Sequence, residues 1–130
     1  MIFPLVTDKN RSASSKQKGD AAETLALQHL RQAGLVLLER NYRTPGRGGG
    51  EIDLIMRAPD GTCVFVEVRQ RRSAGHGGAV ASVTAAKQRR IIFAARHYLA
   101  RFSQLPPCRF DVLALDSGAI TWLPAAFEVA

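Results

Sequence analysis

Two acidic residues, Asp53 and Glu67, stand among apolar neighbours in two segments of the chain. They belong to EIDLIMR (51–57) and TCVFVEVR (62–69), whose β-branched and aromatic residues predict buried strands. An ionised carboxylate is costly to bury unless a proton or a cation accompanies it. These two residues are therefore the first candidates for chemistry.

The segment between the two predicted strands sets their register. A three-residue loop at 59–61, with glycine in the left-handed position, places Ala58 opposite Thr62. The same register places Asp53 opposite Glu67. Cβ atoms of facing residues lie roughly 4.5–5.5 Å apart, where like charges destabilise a sheet. The pair therefore predicts a proton, an arginine or a divalent cation between its carboxyl groups.

Spacing alone leaves two interpretations of this pair open with equal weight. Magnesium is held by one or two carboxylates together with water and phosphate oxygens, so a metal here would polarise a phosphodiester and activate water. Alternation along the strands puts Glu67 and Arg69 on one face, and Glu51, Asp53 and Ile55 on the facing one. In the second interpretation, Arg69 neutralises the pair, with Glu51 opposite it.

A second helix is predicted to begin at Ser82 or Thr84 and to end near Phe102. Its inward stripe brings Lys87 and Gln88 toward the sheet near the helix N-terminus, within reach of a phosphate or of the carboxylates. Alternatively, Lys87 extends into solvent, as helical lysines commonly do. The residues of this stripe are Ile91, Ala95, Tyr98 and Phe102.

The charge of the chain favours a polyanionic partner. Lys and Arg number 18 against 11 Asp and Glu, and segment 69–101 carries eight Lys/Arg and no acid. Arg71 and Arg72 at a strand end and Arg47 in the glycine-rich loop 44–50 are candidates for contact with a phosphate backbone. A solvated strand end and a flexible loop are the alternative interpretation.

The predicted elements follow the order helix, three strands, helix, and one or two strands. This order predicts an α/β domain with a central mixed sheet flanked by helices. We expect one domain over 18–124, preceded by a flexible arm at 1–17 and followed by a tail at 125–130. The other predicted elements are a helix at 19–33 and strands at 35–43, 109–115 and 119–123.

Several protein classes are disfavoured by the same sequence. No apolar run approaches the roughly 18 residues of a membrane span, and the first residues lack the pattern of a secretory signal. Cys63 and Cys108 have no metal-binding spacing and fit thiols in a reducing compartment. We therefore expect a cytoplasmic protein without a membrane partner.

The ordered motifs GEIDLI, VFVEVRxR, a helix carrying Lys87, and RFD resemble those of the YraN-like family of small uncharacterised bacterial proteins. That family is similar to the PD-(D/E)XK nucleases, near archaeal Holliday junction resolvases and restriction endonucleases. The likeness spans roughly residues 18–116. It implies a restriction endonuclease-like core and Mg²⁺- or Mn²⁺-dependent cleavage of DNA, at branched or damaged sites, by a homodimer.

The resemblance assigns roles residue by residue. Asp53 and Glu67 match the metal-binding acids, and Glu23 resembles a helical glutamate that some resolvase-like nucleases add to the metal site. Arg69 stands where the motif usually has lysine. An arginine keeps its proton, so it stabilises charge on the scissile phosphate but is a poor base. Either Lys87 takes over, the metal alone activates water, or hydrolysis is weak or absent.

Three functional hypotheses follow. The leading one is a metal-dependent endonuclease in which Asp53, Glu67, Arg69 and Lys87 form the catalytic set. The competing one is a nucleic-acid-binding protein that keeps the nuclease fold without cleavage. A third hypothesis, an enzyme scaffold reused for protein contacts, leaves the basic residues unexplained.

Overall fold

The computed structural model describes residues 15–71 and 82–129, with side chains from residue 19 onward. Within these ranges the chain is an α/β protein with a five-stranded mixed sheet, as the element order predicted. The elements are α1 (Ser15–Gln32), β1 (Val36–Arg43), β2 (Glu51–Arg57), β3 (Cys63–Arg71), α2 (Ala85–Leu99), β4 (Cys108–Asp116) and β5 (Ala119–Phe127).

The strands lie side by side in chain order, from β1 to β5. Neighbouring strands are antiparallel except β3 and β4, which run parallel. Parallel neighbours need a long crossover connection, and here that connection contains α2. The crossover carries α2 over one face of the sheet, while α1 packs against the other.

Alternation along β3 divides the core into two clusters. Phe65 belongs to the cluster under α2, whereas Val64 and Val66 belong to the cluster under α1. Phe102, predicted to extend the α2 stripe, lies beyond the helix and is 38% exposed. The helix stops earlier because its last turn tightens, with Phe102 N donating to Leu99 O. The buried residues of α2 are Ile91, Ala94, Ala95 and Tyr98.

The hairpin between β2 and β3 has the predicted register. Ala58 N donates to Thr62 O over 2.9 Å, and Leu54 pairs with Val66. Gly61 takes a φ of +91°, the left-handed conformation that glycine accepts without a Cβ penalty. Local turn chemistry therefore determines which residues of the two strands face each other.

Two element ends differ from the prediction. Helix α1 begins at Ser15, within the predicted arm, because a polar first turn carries no apolar periodicity to reveal it. Strand β5 continues to Phe127, within the predicted tail. The strand includes Pro124, which is tolerated because β5 lies at the edge of the sheet. Ala125 N then donates to the buried carboxylate of Asp111 over 2.9 Å. Residues 1–14 lie outside the described part of the chain.

The glycine-rich loop 44–50, predicted to be flexible, is closed at its base. Gly50 N donates to Thr44 Oγ1 over 2.8 Å, and Thr44 N donates to Gly50 O over 3.1 Å. Gly50 also lies directly against the backbone of α2, where a Cβ would come within 1.9 Å of Arg90 O. The end of the loop, just before β2, is therefore packed against α2. The second glycine-rich loop, 73–79, lies outside the described residues.

Neither described helix combines the length and the apolar character that a membrane crossing requires.

Candidate active site

Asp53 and Glu67 stand where the β2–β3 hairpin opens. Regular pairing between these strands ends at Leu54 and Val66, one position earlier. Beyond that point Asp53 Oδ2 accepts a hydrogen bond from Val68 N over 2.8 Å, so the side chain takes the place of a main-chain partner. This bond holds the Asp53 carboxylate beside Glu67, as the register predicted.

The backbone of β2 is irregular at the same place. Ile52 and Ile55 both belong to the core cluster under α2, although strict alternation would put them on opposite faces. The predicted shared face of Glu51, Asp53 and Ile55 is therefore not kept. In the neighbouring strand β1, Asn41 has a φ of 56° between two residues that pair with this part of β2. Asparagine tolerates this left-handed conformation better than most residues.

Burial dominates the electrostatics of the pair. Glu67 is only 3% exposed, and burial, followed by the charge of Asp53, raises its pKa to about 8. Burial also raises the pKa of Asp53, while the hydrogen bond from Val68 N opposes that rise. Two ionised carboxylates cannot hydrogen-bond to each other, and Glu67 Oε1 has no other partner. The site therefore favours a shared proton or a cation.

Two cationic side chains approach the pair from one side. Arg69 Nη1 lies 3.5 Å and Lys87 Nζ 3.9 Å from the same oxygen, Glu67 Oε2. Both distances exceed the 2.7–2.9 Å typical of a strong charge-assisted hydrogen bond. Arg69 thus approaches the acid, as the second interpretation expected. Glu51 pairs with Arg90 over 3.4 Å.

The cap of α2 positions Lys87. Of the two predicted caps, Ser82 and Thr84, the N-cap is Thr84, and its hydroxyl accepts from Lys87 N over 3.1 Å. Val83 is buried just before it. From this first turn the side chain of Lys87 extends toward the carboxylates and is 24% exposed. The side chain of Gln88 is instead bound to the backbone before the helix, because its Nε2 donates to Val83 O over 3.0 Å.

Glu23 lies next to the pair on the α1 side. Burial, followed by the charge of Asp53, raises the pKa of Glu23. Arg40 Nε lies 3.5 Å from Glu23 Oε1, an ion pair without hydrogen-bond geometry, while Arg40 Nη2 donates to Asp20 O and to Thr24 Oγ1. Sequence reasoning did not identify Arg40, since nothing local links it to a helix about 20 residues earlier.

The predicted phosphate-binding residues are not gathered at one point. Arg71 makes a two-pronged pair with Asp116 over 2.8 and 3.0 Å, because the parallel β3–β4 register places them opposite each other. Arg47 is exposed in the loop 44–50. Arg72 lies outside the described residues. Of the predicted site, the structure brings together Asp53, Glu67, Arg69 and Lys87, with Glu23 alongside.

The donor set fits a hard divalent cation with few protein ligands. In 15–71 and 82–129, no group of three or more His, Cys, Asp or Glu residues could hold a metal by itself. Magnesium needs only one or two carboxylates when water and substrate phosphate complete its shell. Glu67 Oε1, which has no hydrogen-bond partner and lies next to Asp53, is a carboxylate oxygen of the type that such a cation accepts.

Fold and site together define an α/β protein with a carboxylate pair, one member of it buried, at the open end of a central hairpin. The chain matches the model of uncharacterised protein family UPF0102 over residues 22–115 and belongs to that family. A UPF0102 protein of Albidiferax ferrireducens is 72% identical over 98% of both chains. One from Polaromonas naphthalenivorans is 65% identical over 91% of this chain and 83% of its own.

Proposed function

We propose that this protein is a metal-dependent endonuclease of the PD-(D/E)XK type that hydrolyses DNA phosphodiester bonds. The observation that carries the proposal is the pairing of the half-buried Asp53 with the buried Glu67, with Arg69 and Lys87 both near one oxygen of Glu67. The α-β-β-β-α-β order and the mixed sheet agree with a restriction endonuclease-like core.

Each residue of the site has a role in this proposal. Asp53 and Glu67 would hold Mg²⁺ or Mn²⁺, with Glu23 as a further ligand directly or through water. A metal bound there polarises the phosphate and activates water. Arg69 contributes a permanent positive charge against the negative charge that develops on the scissile phosphate.

Lys87 is the residue that can exchange a proton. Its Nζ shares Glu67 Oε2 with Arg69, so both cations face the point where the phosphate would lie. An ammonium group can lose its proton whereas a guanidinium cannot. Lys87 therefore replaces the missing motif lysine as the group that positions or deprotonates the attacking water.

The DNA partner is proposed from charge. The net charge of +7 favours a polyanion, and Arg47, Arg72 and unpaired arginines of α2 would contact the backbone. Arg71 has a structural role in this proposal, because its bidentate pair with Asp116 links the end of β3 to the end of β4. We place the activity in the cytoplasm and expect branched or damaged DNA as substrate and a homodimer as the acting form.

The test is a cleavage assay on linear, branched and single-stranded DNA with Mg²⁺ or Mn²⁺, and with EDTA as the metal-free control. We expect metal-dependent nicking or cutting of at least one substrate. Binding with a steep salt dependence but no cleavage in either metal would contradict the enzyme. That outcome would support the second candidate, a DNA-binding protein, which the permanent charge of Arg69 favours.

Arg69→Lys tests the departure from the motif. A lysine at the motif's own position adds to Lys87 a second group beside Glu67 that can lose its proton, so we expect the single-turnover cleavage rate to rise by about tenfold or more. Arg57→Lys, at an exposed position at the end of β2, is the matched control and should leave the rate unchanged. An unchanged or lower rate for Arg69→Lys would show that Lys87 or the metal already supplies the proton transfer.

A further inference from the structure

A groove of about 500 Å³ lies between one side of α2 and the residues that follow β5. Its helical wall includes Arg89, Phe93 and Arg96, and its other wall includes Glu128, just past the end of β5. Lys87 approaches Glu67 from this helix. Arg89 follows it by two residues, so the two side chains point in directions about 200° apart around the helix axis. The groove is therefore a surface distinct from the proposed active site.

The helical wall presents an aromatic ring between two cations. Phe93 is 53% exposed, and Arg89 and Arg96 lie four residues before and three residues after it, on the same side of the helix. The two arginines are about 10 Å apart along the helix axis. An exposed ring with a cation on either side of it offers a surface on which a base can stack between two phosphate contacts.

These two arginines are free to bind a ligand. Within the part of the chain that the structure describes, neither the Arg89 nor the Arg96 guanidinium has an ion pair or hydrogen bond. Other arginines of this region are engaged: Arg90 pairs with Glu51, and Arg101 stacks over the Tyr98 ring at 4.0 Å. The segment 85–99 contains no acidic residue to neutralise them.

We propose that this outer face of α2 binds a single-stranded segment of nucleic acid. A base would stack on Phe93, and the phosphates on either side would pair with Arg89 and Arg96. Stacking on one exposed ring requires an unpaired base, because the faces of paired bases are covered by their neighbours in a duplex. Charge complementarity selects a polyanion, and the ring between the charges selects one that carries bases.

The proposal deepens the proposed function without depending on cleavage. If the carboxylate pair cuts DNA, a strand held on the far side of α2 means a substrate with a single-stranded branch or gap. If the protein only binds, the same face is still its contact with unpaired strands. Binding measured in EDTA separates the two, since it requires neither metal nor chemistry.

Fluorescence anisotropy in EDTA tests this surface, with labelled oligothymidylate and a blunt duplex of the same length as probes. We expect Phe93→Ala to weaken oligothymidylate binding about tenfold and to leave duplex binding unchanged. The double variant Arg89→Gln/Arg96→Gln should lower the slope of log affinity against log salt by roughly 1.4. Its matched control is Arg31→Gln/Arg57→Gln, which removes the same charge at exposed positions elsewhere.

A substitution at Glu128 is expected to change the oligothymidylate affinity in the opposite direction. Its carboxylate is the acidic group of the groove and repels phosphate, so Glu128→Gln should strengthen oligothymidylate binding. Equal affinity of wild type and Phe93→Ala for oligothymidylate would overturn the proposal. So would an equal loss in the control double variant. Binding of a poly-glutamate peptide that competes fully with oligothymidylate would also overturn it, because the face would then select charge alone.

Discussion

Replacing Glu67 by glutamine is expected to stabilise the metal-free protein at alkaline pH while abolishing metal-dependent cleavage. Burial and the charge of Asp53 raise the pKa of Glu67 to about 8, from an ordinary value of 4.5. Between these pH values the folded protein binds more protons than the unfolded chain. The free energy of unfolding therefore falls as pH rises through this window and is lowest above about pH 8.

Glutamine removes that dependence because it has no charge to bury. In thermal unfolding with EDTA, we expect Glu67→Gln to gain roughly 10 °C relative to wild type at about pH 9 and little at about pH 4. Cleavage should fall more than about 100-fold, since even residues behind a metal ligand cost 10–100-fold when replaced. A gain independent of pH would mean that the carboxylate is not buried as described.

Asp53→Asn is the matched comparison. It should also abolish cleavage, but it keeps an acceptor for Val68 N and leaves Glu67 in place without its charged neighbour. The pKa of Glu67 should then fall, so the pH dependence of stability should weaken without disappearing. Cleavage that survives Asp53→Asn would show that the proposed site is not the catalytic one.

Gly50→Ala is expected to destabilise the protein by about 3 kcal/mol or more, a loss of roughly 10 °C in Tm. A Cβ at Gly50 would come within 1.9 Å of Arg90 O and 3.0 Å of Ala94 N, and both are backbone atoms of α2. The helix must move away from β2 to accommodate it. Because Lys87 belongs to that helix, its distance to Glu67 would change and cleavage should fall with stability.

Gly19→Ala is the control for this substitution. Gly19 is helical, and no atom lies within 4 Å of its added Cβ. Alanine there should stabilise α1 by about 0.5–1 kcal/mol. Chemical unfolding curves of the two variants should therefore shift in opposite directions. Equal shifts would mean that the contact between Gly50 and α2 is not close.

Local signals made the hairpin and the α2 cap predictable. The turn at 59–61 and the alternation of the strands placed Asp53 opposite Glu67, and Ser82 or Thr84 marked the start of α2. These features depend on residues at most about 15 positions apart, so their chemistry is readable along the chain. The same reasoning missed the first turn of α1, whose sequence has no apolar periodicity, and the end of β5, where Ala125 N donates to Asp111.

Contacts between distant residues were not predictable in this way. The pairs Arg71–Asp116, Arg40–Glu23 and Gly50–Arg90 join segments 17 to 45 residues apart. Each depends on which strands are neighbours or on where a helix crosses the sheet. The motif order indicated an α/β domain. It did not reveal that Arg71 would form an ion pair with Asp116, or that Arg40 would lie beside Glu23.

The α/β class, the register of the hairpin and the placement of Asp53 opposite Glu67 could be read from the amino-acid sequence. Those outcomes follow from alternation and turn geometry, which act over short distances. The burial of Glu67 and the approach of Lys87 and Arg69 to one of its oxygens could be seen only in the folded chain. The approach of Lys87 depends on the crossover, because the crossover brings α2 over the face of the sheet that carries Glu67.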